Sequence, residues 1–584
     1  MKKPILTLFV FILTFSTSYA ISPADEAMRS MADTSLVPFY HGVASGDPTP
    51  NAVIIWTRVT PEEAGVINGT WRVATDTNFT SIVQSGTFNT DSSKDYTVKI
   101  DVTGLSPNTW YFYEFTALGK NSLTGRTKTA PVGGVNQLRF AFVSCSNYPN
   151  GFFNAYARIK DRNDIDAVLH LGDYIYESGT GSSSTRTDQL PNSEIIRLAD
   201  YRLRYSSYRL DPALRKLHQQ YPFMTVWDDH ETANNSYKDG SDNHTPATEG
   251  PWDVRKAAGQ QANDEWLPVR LPVAGDPNKI WRKISYGNLA DIFMLDTRLY
   301  ARTLQEALAD NQRKILGDEQ MAWLENELKN STAKWKILGQ QVMVGNLNPF
   351  WQLNGGTGLI LNMDQWDGYQ TERKKMFDII LNNNIQNVIV LTGDIHTAWA
   401  MDLPYNQQTY NASTGQGSVG VEFVCTSITS GSSPVPLDPI YGLVTNLLPH
   451  IKYVDLYKKG YGILDLTDEK AQGNFYAIKT IQTIDTNQTF ESAWFTLPST
   501  RWLKKSTTPS VKLDPLQFQA PETPRTDIIS GIHTKANELI MMGIYPNPFI
   551  DRIFMQFNMV NNSNAEAKVY DLSGKLVKKI DFGF

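Results

Sequence analysis

A chain of 584 residues exceeds one ordinary domain and points to roughly two to four. At 41% hydrophobic and 20% charged it reads as soluble globular protein. The net charge of -6 is small for this length and leaves no basic footprint for nucleic acid.

The chain opens with Lys2 and Lys3, an apolar run from Ile5 to Phe15, and Ser18-Tyr19-Ala20. A basic start, a short apolar core and small residues at a cleavage site predict a signal peptide over residues 1–20. The run is short for a bilayer span, and no later stretch reads as a membrane helix. The protein is therefore expected outside the cytoplasm, secreted or at the cell surface. Only Cys145 and Cys425 occur, too few for a disulfide framework. Export would allow them to pair, and either could equally be a buried residue or a ligand.

Residues 37–130 read as a small all-β sandwich. Ala52–Trp56 is an apolar run, Trp71–Ala74 and Tyr96–Val102 alternate apolar and polar residues, and Trp110–Phe115 is aromatic. Turn residues at Leu105–Thr109 separate the last two. Residues 137–500 change character. Apolar strands are expected at Leu138–Val143, Ala167–Leu171, Met224–Trp227, Lys336–Gly339 and Val388–Leu391. Helical spacing over Phe152–Asp161, Asp318–Lys329 and Gln370–Asn382 alternates with them, the pattern of an α/β domain. Residues 501–535 read as a linker, and 540–584 as a partial β tail containing Arg552–Phe557 and Ala567–Leu572.

The strands of the α/β region end repeatedly in ligating residues. Open α/β sheets bind ligands beyond the carboxyl ends of their strands, so these ends are expected to meet. Asp173 follows Gly172 at one end, with Tyr176 three residues on. Their oxygens can reach one ion, and a phenolate suits a hard ion such as Fe(III). Alone, an Asp after Gly is as readily a turn. Asp228, Asp229 and His230 end another strand, and adjacent carboxylates call for a compensating cation. Asp394 and His396 stand two apart, a spacing that faces one side in extended chain. Cys145 ends the first strand, where a metal would keep its thiolate ionised. A lone Cys is otherwise a small buried hydrophobe. Four such ends together favour a metal site. An oxygen-rich donor set suits Fe(III), Ca(II) or Mn(II) better than structural zinc.

The order of these motifs resembles the PhoD-type alkaline phosphatases, within the calcineurin-like metallophosphoesterases. The blocks include SCSNYPNGFFNAY from Ser144, HLGDYIYE from His170, WDDHETANN from Trp227, LDTRLY from Leu295, DQWDGY from Asp364 and LTGDIHTAW from Leu391. The resemblance implies a four-layer α/β sandwich of two sheets flanked by helices. It implies Fe(III) on Cys145, Asp173, Tyr176 and His396, with Mn or Zn able to replace a native ion. Asp173 would bridge to a second metal shared with Asp229 and Asp394. Asp228 could take the role of Asp229, and Asn235 would hold a further Ca(II). His230 would act on the phosphate and the leaving group, beside the catalytic Asp173. The expected activity is phosphate-ester hydrolysis by hydroxide from a metal-bound water, for phosphate acquisition outside the cytoplasm. An alternative is a phosphodiesterase, phospholipase D-like, acting on phospholipids or teichoic acids. A third reading is a surface binding protein with a degenerate site. The tail, with YPNPF from Tyr545 and VYDLSGKLV from Val569, resembles the sorting domain of the type IX secretion system but stops before its usual final strands. The expectation is a monomer that takes a phosphate-ester substrate, binds no nucleic acid specifically, and has that secretion machinery as a possible partner.

Overall fold

Three apolar runs build the centre of the molecule. Gln137–Val143, Ala167–His170 and Pro222–Thr225 pair in parallel, each buried along its whole length. They are the middle of a ten-stranded sheet. On one side it is extended by the antiparallel strands Gly460–Thr467, Ala471–Ile478 and Gln488–Thr496. A second, seven-stranded sheet contains the parallel strands Ala290–Met294, Trp335–Gly339, Val388–Thr392 and Ser418–Val424. Buried strands read as continuous apolar runs because both faces are covered.

The alternation of side chains explains the layering. Leu138, Phe140 and Phe142 join a core with Ile292, Ile337, Ile389, Leu391 and Phe423 of the other sheet. The intervening Ala141 and Val143 pack against Ile159, Tyr205, Leu217 and Trp266. Those residues belong to helices Asn154–Arg162, Leu198–Arg209, Pro212–Gln220 and Trp252–Trp266. Phe293, Leu338 and Val390 pack instead with Leu324 and Phe377 of helices Gly317–Asn330 and Gln370–Asn382.

The computed structural model describes residues 23–305, 309–348, 360–432, 444–513 and 518–526, and four strands between Leu539 and Phe582. The segment read as a signal peptide, residues 1–20, lies outside them. So do Pro546–Phe549 of the YPNPF motif. Among the described residues no helix is long and apolar enough to cross a membrane.

The N-terminal β region differs from a free-standing sandwich. Val43–Thr49, Ala52–Arg58 and Thr97–Thr103 belong to the ten-stranded sheet, joined through a parallel pairing of Ser45 and Gly46 with Pro222 and Phe223. Their inner residues Val43, Val53, Ile55 and Val98 share a core with Val73, Tyr113 and Phe115 of a five-stranded sheet. One face of the β region is thus continuous with the α/β sheet. The stretch from 501 also carries structure. Lys504–Ser506 pairs with Gln488–Thr496 as an edge strand. Beyond it the backbone oxygens of Phe518, Ala520 and Pro521 accept from Arg126, Gln220 and Gln219. Polar composition made this stretch read as linker, but buried amides satisfy its backbone.

The chain divides into two compact units, Met1–Thr526 and Asp527–Phe584. The second contains two hairpins, Leu539–Tyr545 with Phe554–Met559 and Ala565–Tyr570 with Leu576–Phe582.

Candidate metal centre

The parallel strands deliver their ends to one place. Cys145 follows Gln137–Val143, Asp173 follows Ala167–His170, and Asp228 and Asp229 follow Pro222–Thr225. Asp394 and His396 follow Val388–Thr392 of the other sheet. Five residues here hold a left-handed backbone: Cys145 (φ 63°), Asp173 (55°), Asn235 (51°), Asp394 (62°) and His396 (60°). Such conformations are costly for residues with a side chain and gather where a site imposes its own geometry.

Donor atoms converge accordingly. Cys145, Asp173 and His396 place one ligating atom each within 4.8 Å of one another, as do Asp173, Asp229 and His230, and Asp228, Asp229 and Asp394. The Tyr176 hydroxyl donates to Asp173 Oδ2 at 2.7 Å and lies 3.1 Å from His396 Nε2. Ser430, which ends the block VEFVCTSITS from Val421 and was given no role, places its Oγ 2.5 Å from that hydroxyl and donates to the Cys145 carbonyl. Above this cluster opens a cleft of about 300 Å³ lined by Asp173, Asp229, His230, Asn235, Asp394 and His396, with Asn234, Asn362, Asp364 and Ile395. Every expected ligand is therefore brought together. Cys145 and Tyr176 are buried beneath the cleft, and Asn235 stands at its wall. Larger grooves occur elsewhere, one of about 910 Å³ beside Phe88 and Gln260, but among the described residues none gathers a group of metal-ligating side chains.

Charge shows what the cluster lacks. Arg298 is fully buried and pairs with Asp228, Asp364 and Asp394, with Asp229 at 3.6 Å. Arg302 adds a second guanidinium on Asp364. Two guanidiniums against Asp173, Asp228, Asp229, Asp364 and Asp394 leave an excess of three negative charges. Asp173 Oδ1, Asp228 Oδ2 and Asp229 Oδ1 are buried without a hydrogen-bond partner. Buried ionised oxygens without partners cost several kcal/mol each, unless a cation meets them. Burial, reinforced by Asp364 and Asp229 and only partly opposed by Arg298, pushes the Asp394 carboxyl up to about 7. Burial and then Asp173 push the Cys145 thiol and the Tyr176 phenol well above their ordinary values. A phenol and crowded carboxyls fit hard, multiply charged cations, a thiolate beside them fits iron, and the field of such ions would reverse all of these shifts.

His230 is built differently. Its Nδ1 lies 2.6 Å from Glu177 Oε2, and its ring stacks on Tyr176 with centroids 4.1 Å apart. Burial would lower its pKa, but Glu177, then Asp229 and Asp173, hold it well above the ordinary value. Glu177 is itself fixed by the backbone N–H of Asn234 and the amide of Asn243. Glu231 is the keystone below. Its carboxylate accepts from the backbone N–H groups of Asp173, Tyr174 and Asp228, tying two strand ends together. Glu177, Glu231, Arg298 and Asp364 stood inside quoted motifs, yet sequence assigned them nothing. The signal was an ionisable residue beside an expected ligand, but its partner could be known only from the fold.

Two sheets whose strand ends surround a carboxylate-rich cleft, with a buried thiol and phenol beneath it, define a metal-dependent α/β hydrolase. Residues 140–475 match the PhoD-like phosphatase family, and residues 25–131 match the N-terminal domain of PhoD-like phosphatases. Residues 543–583 match the secretion system C-terminal sorting domain. The chain is similar to alkaline phosphatase D of Bacillus subtilis (strain 168), 36% identical over 475 residues that cover 77% of this chain and 79% of that one. It is also similar to a solved structure of PhoD, at 33% identity and a TM-score of 0.74, covering 82% of this chain and 94% of that one. The chain belongs to the PhoD-like phosphatase family, and its chemistry is the hydrolysis of phosphate esters.

Proposed function

We propose that this chain is an extracytoplasmic alkaline phosphatase whose cleft at Asp173 holds Fe(III) and Ca(II). The buried Asp173 Oδ1 and Asp228 Oδ2, without hydrogen-bond partners, carry the reading, with Asp229 Oδ1, which has Arg298 at 3.6 Å. Cys145, Asp173, Tyr176 and His396 would hold the iron. Asp229 would share a second metal with Asp173 and Asp394, since it groups with both, whereas Asp228 gives one oxygen to Arg298. Asn235, on the cleft wall, would serve a further calcium. Mn or Zn could replace a native ion. Bound cations there neutralise phosphoryl oxygens and make water a nucleophile near neutral pH.

The residues around them do the rest. Glu177 takes the Nδ1 side of His230 and leaves Nε2 for the substrate. Protonated His230 can donate to the departing alkoxide, a general-acid role. Glu231 and Arg298 hold the strand ends so that the carboxylates keep their spacing. The two facing sheets with helices outside support a four-layer sandwich. The proposed boundaries are residues 37–130, 137–500, 501–535 and 540–584. The sorting-domain match supports export by the type IX machinery, after removal of residues 1–20. We take the chain to act as a monomer. A cleft open enough for monoesters and diesters leaves a diesterase acting on phospholipids or teichoic acids as the alternative. Phosphate release from an aryl monophosphate, compared with cleavage of a bis-aryl diester, separates the two. The reading predicts the faster rate on the monoester, lost on chelation, and a faster diester rate would favour the alternative.

A further inference from the structure

Lys459 precedes strand Gly460–Thr467, which runs antiparallel to Gln137–Val143 in the register Gly462 opposite Phe142. Beyond that pair the strands end at Val143 and Gly460, Ser144 bridges Ser427, and Cys145 and Lys459 stand just past the two ends. The segment after Cys425 lies between them, with Ile428 N–H donating to Ser144 and Gly460 N–H to Ser427. The Lys459 ammonium is buried and has no hydrogen-bond partner. An unpaired buried ammonium is expensive and needs a reason. Cys145, as the thiolate a metal would keep ionised, and then Asp455 favour its charged form. Burial brings it down to about 8, so it stays charged at neutral pH. Two polar partners of Cys145 are already committed. Ser144 Oγ accepts from Cys145 Sγ at 3.2 Å, and the Cys145 carbonyl is taken by Ser430.

We propose that Lys459 is a positioning residue for the metal, a fixed positive charge behind the Cys145 thiolate that draws electron density off the sulfur. It leaves the ferric ion a stronger Lewis acid toward the phosphoryl group, which rests on the iron reading above. Charge beyond the ligands tunes a metal through the ligand atoms. The ferric site, with three anionic ligands, is neutral, and its one-electron-reduced form is negative. A nearby cation therefore favours the reduced form and raises the reduction potential. It also lowers the energy of the sulfur donor electrons and so moves sulfur-to-iron charge transfer to shorter wavelength.

The test uses the full-length, iron-loaded protein, with iron content, visible absorption and reduction potential measured for wild type, Lys459→Met and Lys459→Arg. Lys459→Met should retain iron, shift the absorption to longer wavelength and lower the potential, and Lys459→Arg should restore both. The kcat on an aryl phosphate should fall several-fold in Lys459→Met with little change in KM. Iron-loaded Lys459→Met with wild-type absorption and potential would overturn the inference alone. Wild-type protein that binds no iron would overturn the iron reading and the inference with it.

Discussion

His230 shows how much a single contact decides. Its proton is held by Glu177 at 2.6 Å, in a site where burial alone would drive it off. Replacing His230 by Ala should lower kcat by about a hundredfold or more on esters with poor leaving groups. Esters with good leaving groups, which need no proton, should lose far less. Rates across a series of aryl phosphates measure this, and equal losses across the series would remove the general-acid role. Glu177→Gln should reproduce part of the loss, because the ring would keep its place while its charge would not. Tyr176→Phe should abolish phenolate-to-iron absorption while leaving the fold intact, which a visible spectrum and a melting curve check together.

At the scale of the elements, the strand ends are the working parts, and their backbone has little room. Gly172 sits at φ 109°, and a Cβ there would stand 2.4 Å from Cβ of Asp228. Gly172→Ala should therefore destabilise the protein by about 2–4 kcal/mol and push Asp173 and Asp228 apart, costing metal as well as stability. Denaturant unfolding with metal analysis reads both. The central strands were legible because burial on both faces makes an apolar run, as at Leu138–Val143 and Val388–Leu391. The candidate ligands Cys145, Asp173, Asp229 and Asp394 were legible because each follows such a run. The helices Leu198–Arg209 and Trp252–Trp266 were not, because Arg204, Arg209 and Arg255 are buried in them and break the apolar periodicity. Nor was Arg298, whose four carboxylates come from three other segments of the chain. The edge strand Lys504–Ser506 is two lysines and a serine, and only its partner makes it a strand.

Over the whole molecule, the acid limb of stability belongs to buried neutral histidines. Burial lowers His170 to about 3 and His450 to about 4, and holds His41 and His218 well below the ordinary value. Unfolded histidine takes up its proton near 6.5, so their contribution is present above that pH and is lost as pH falls toward 4 and 3. Glu422 and Asp402 oppose them. Burial raises them to about 7 and about 6, so their contribution is lost as pH rises through those values. The four histidines predict a loss of stability between pH 6.5 and 4, which Glu422 and Asp402 soften, and Glu422→Gln should steepen it. Thermal midpoints across that range test this, and a flat profile would contradict it. Asp173 is shared by two groups of candidate metal ligands, and metal held there is proposed to make this cleft a phosphatase. The most direct test is phosphate release from an aryl phosphate by wild type and Asp173→Asn, each with its bound metals counted. Wild type should be metal-loaded and active in a chelator-sensitive way, and Asp173→Asn should lose activity on the order of a thousandfold, with metal depleted. Full activity in Asp173→Asn would contradict it.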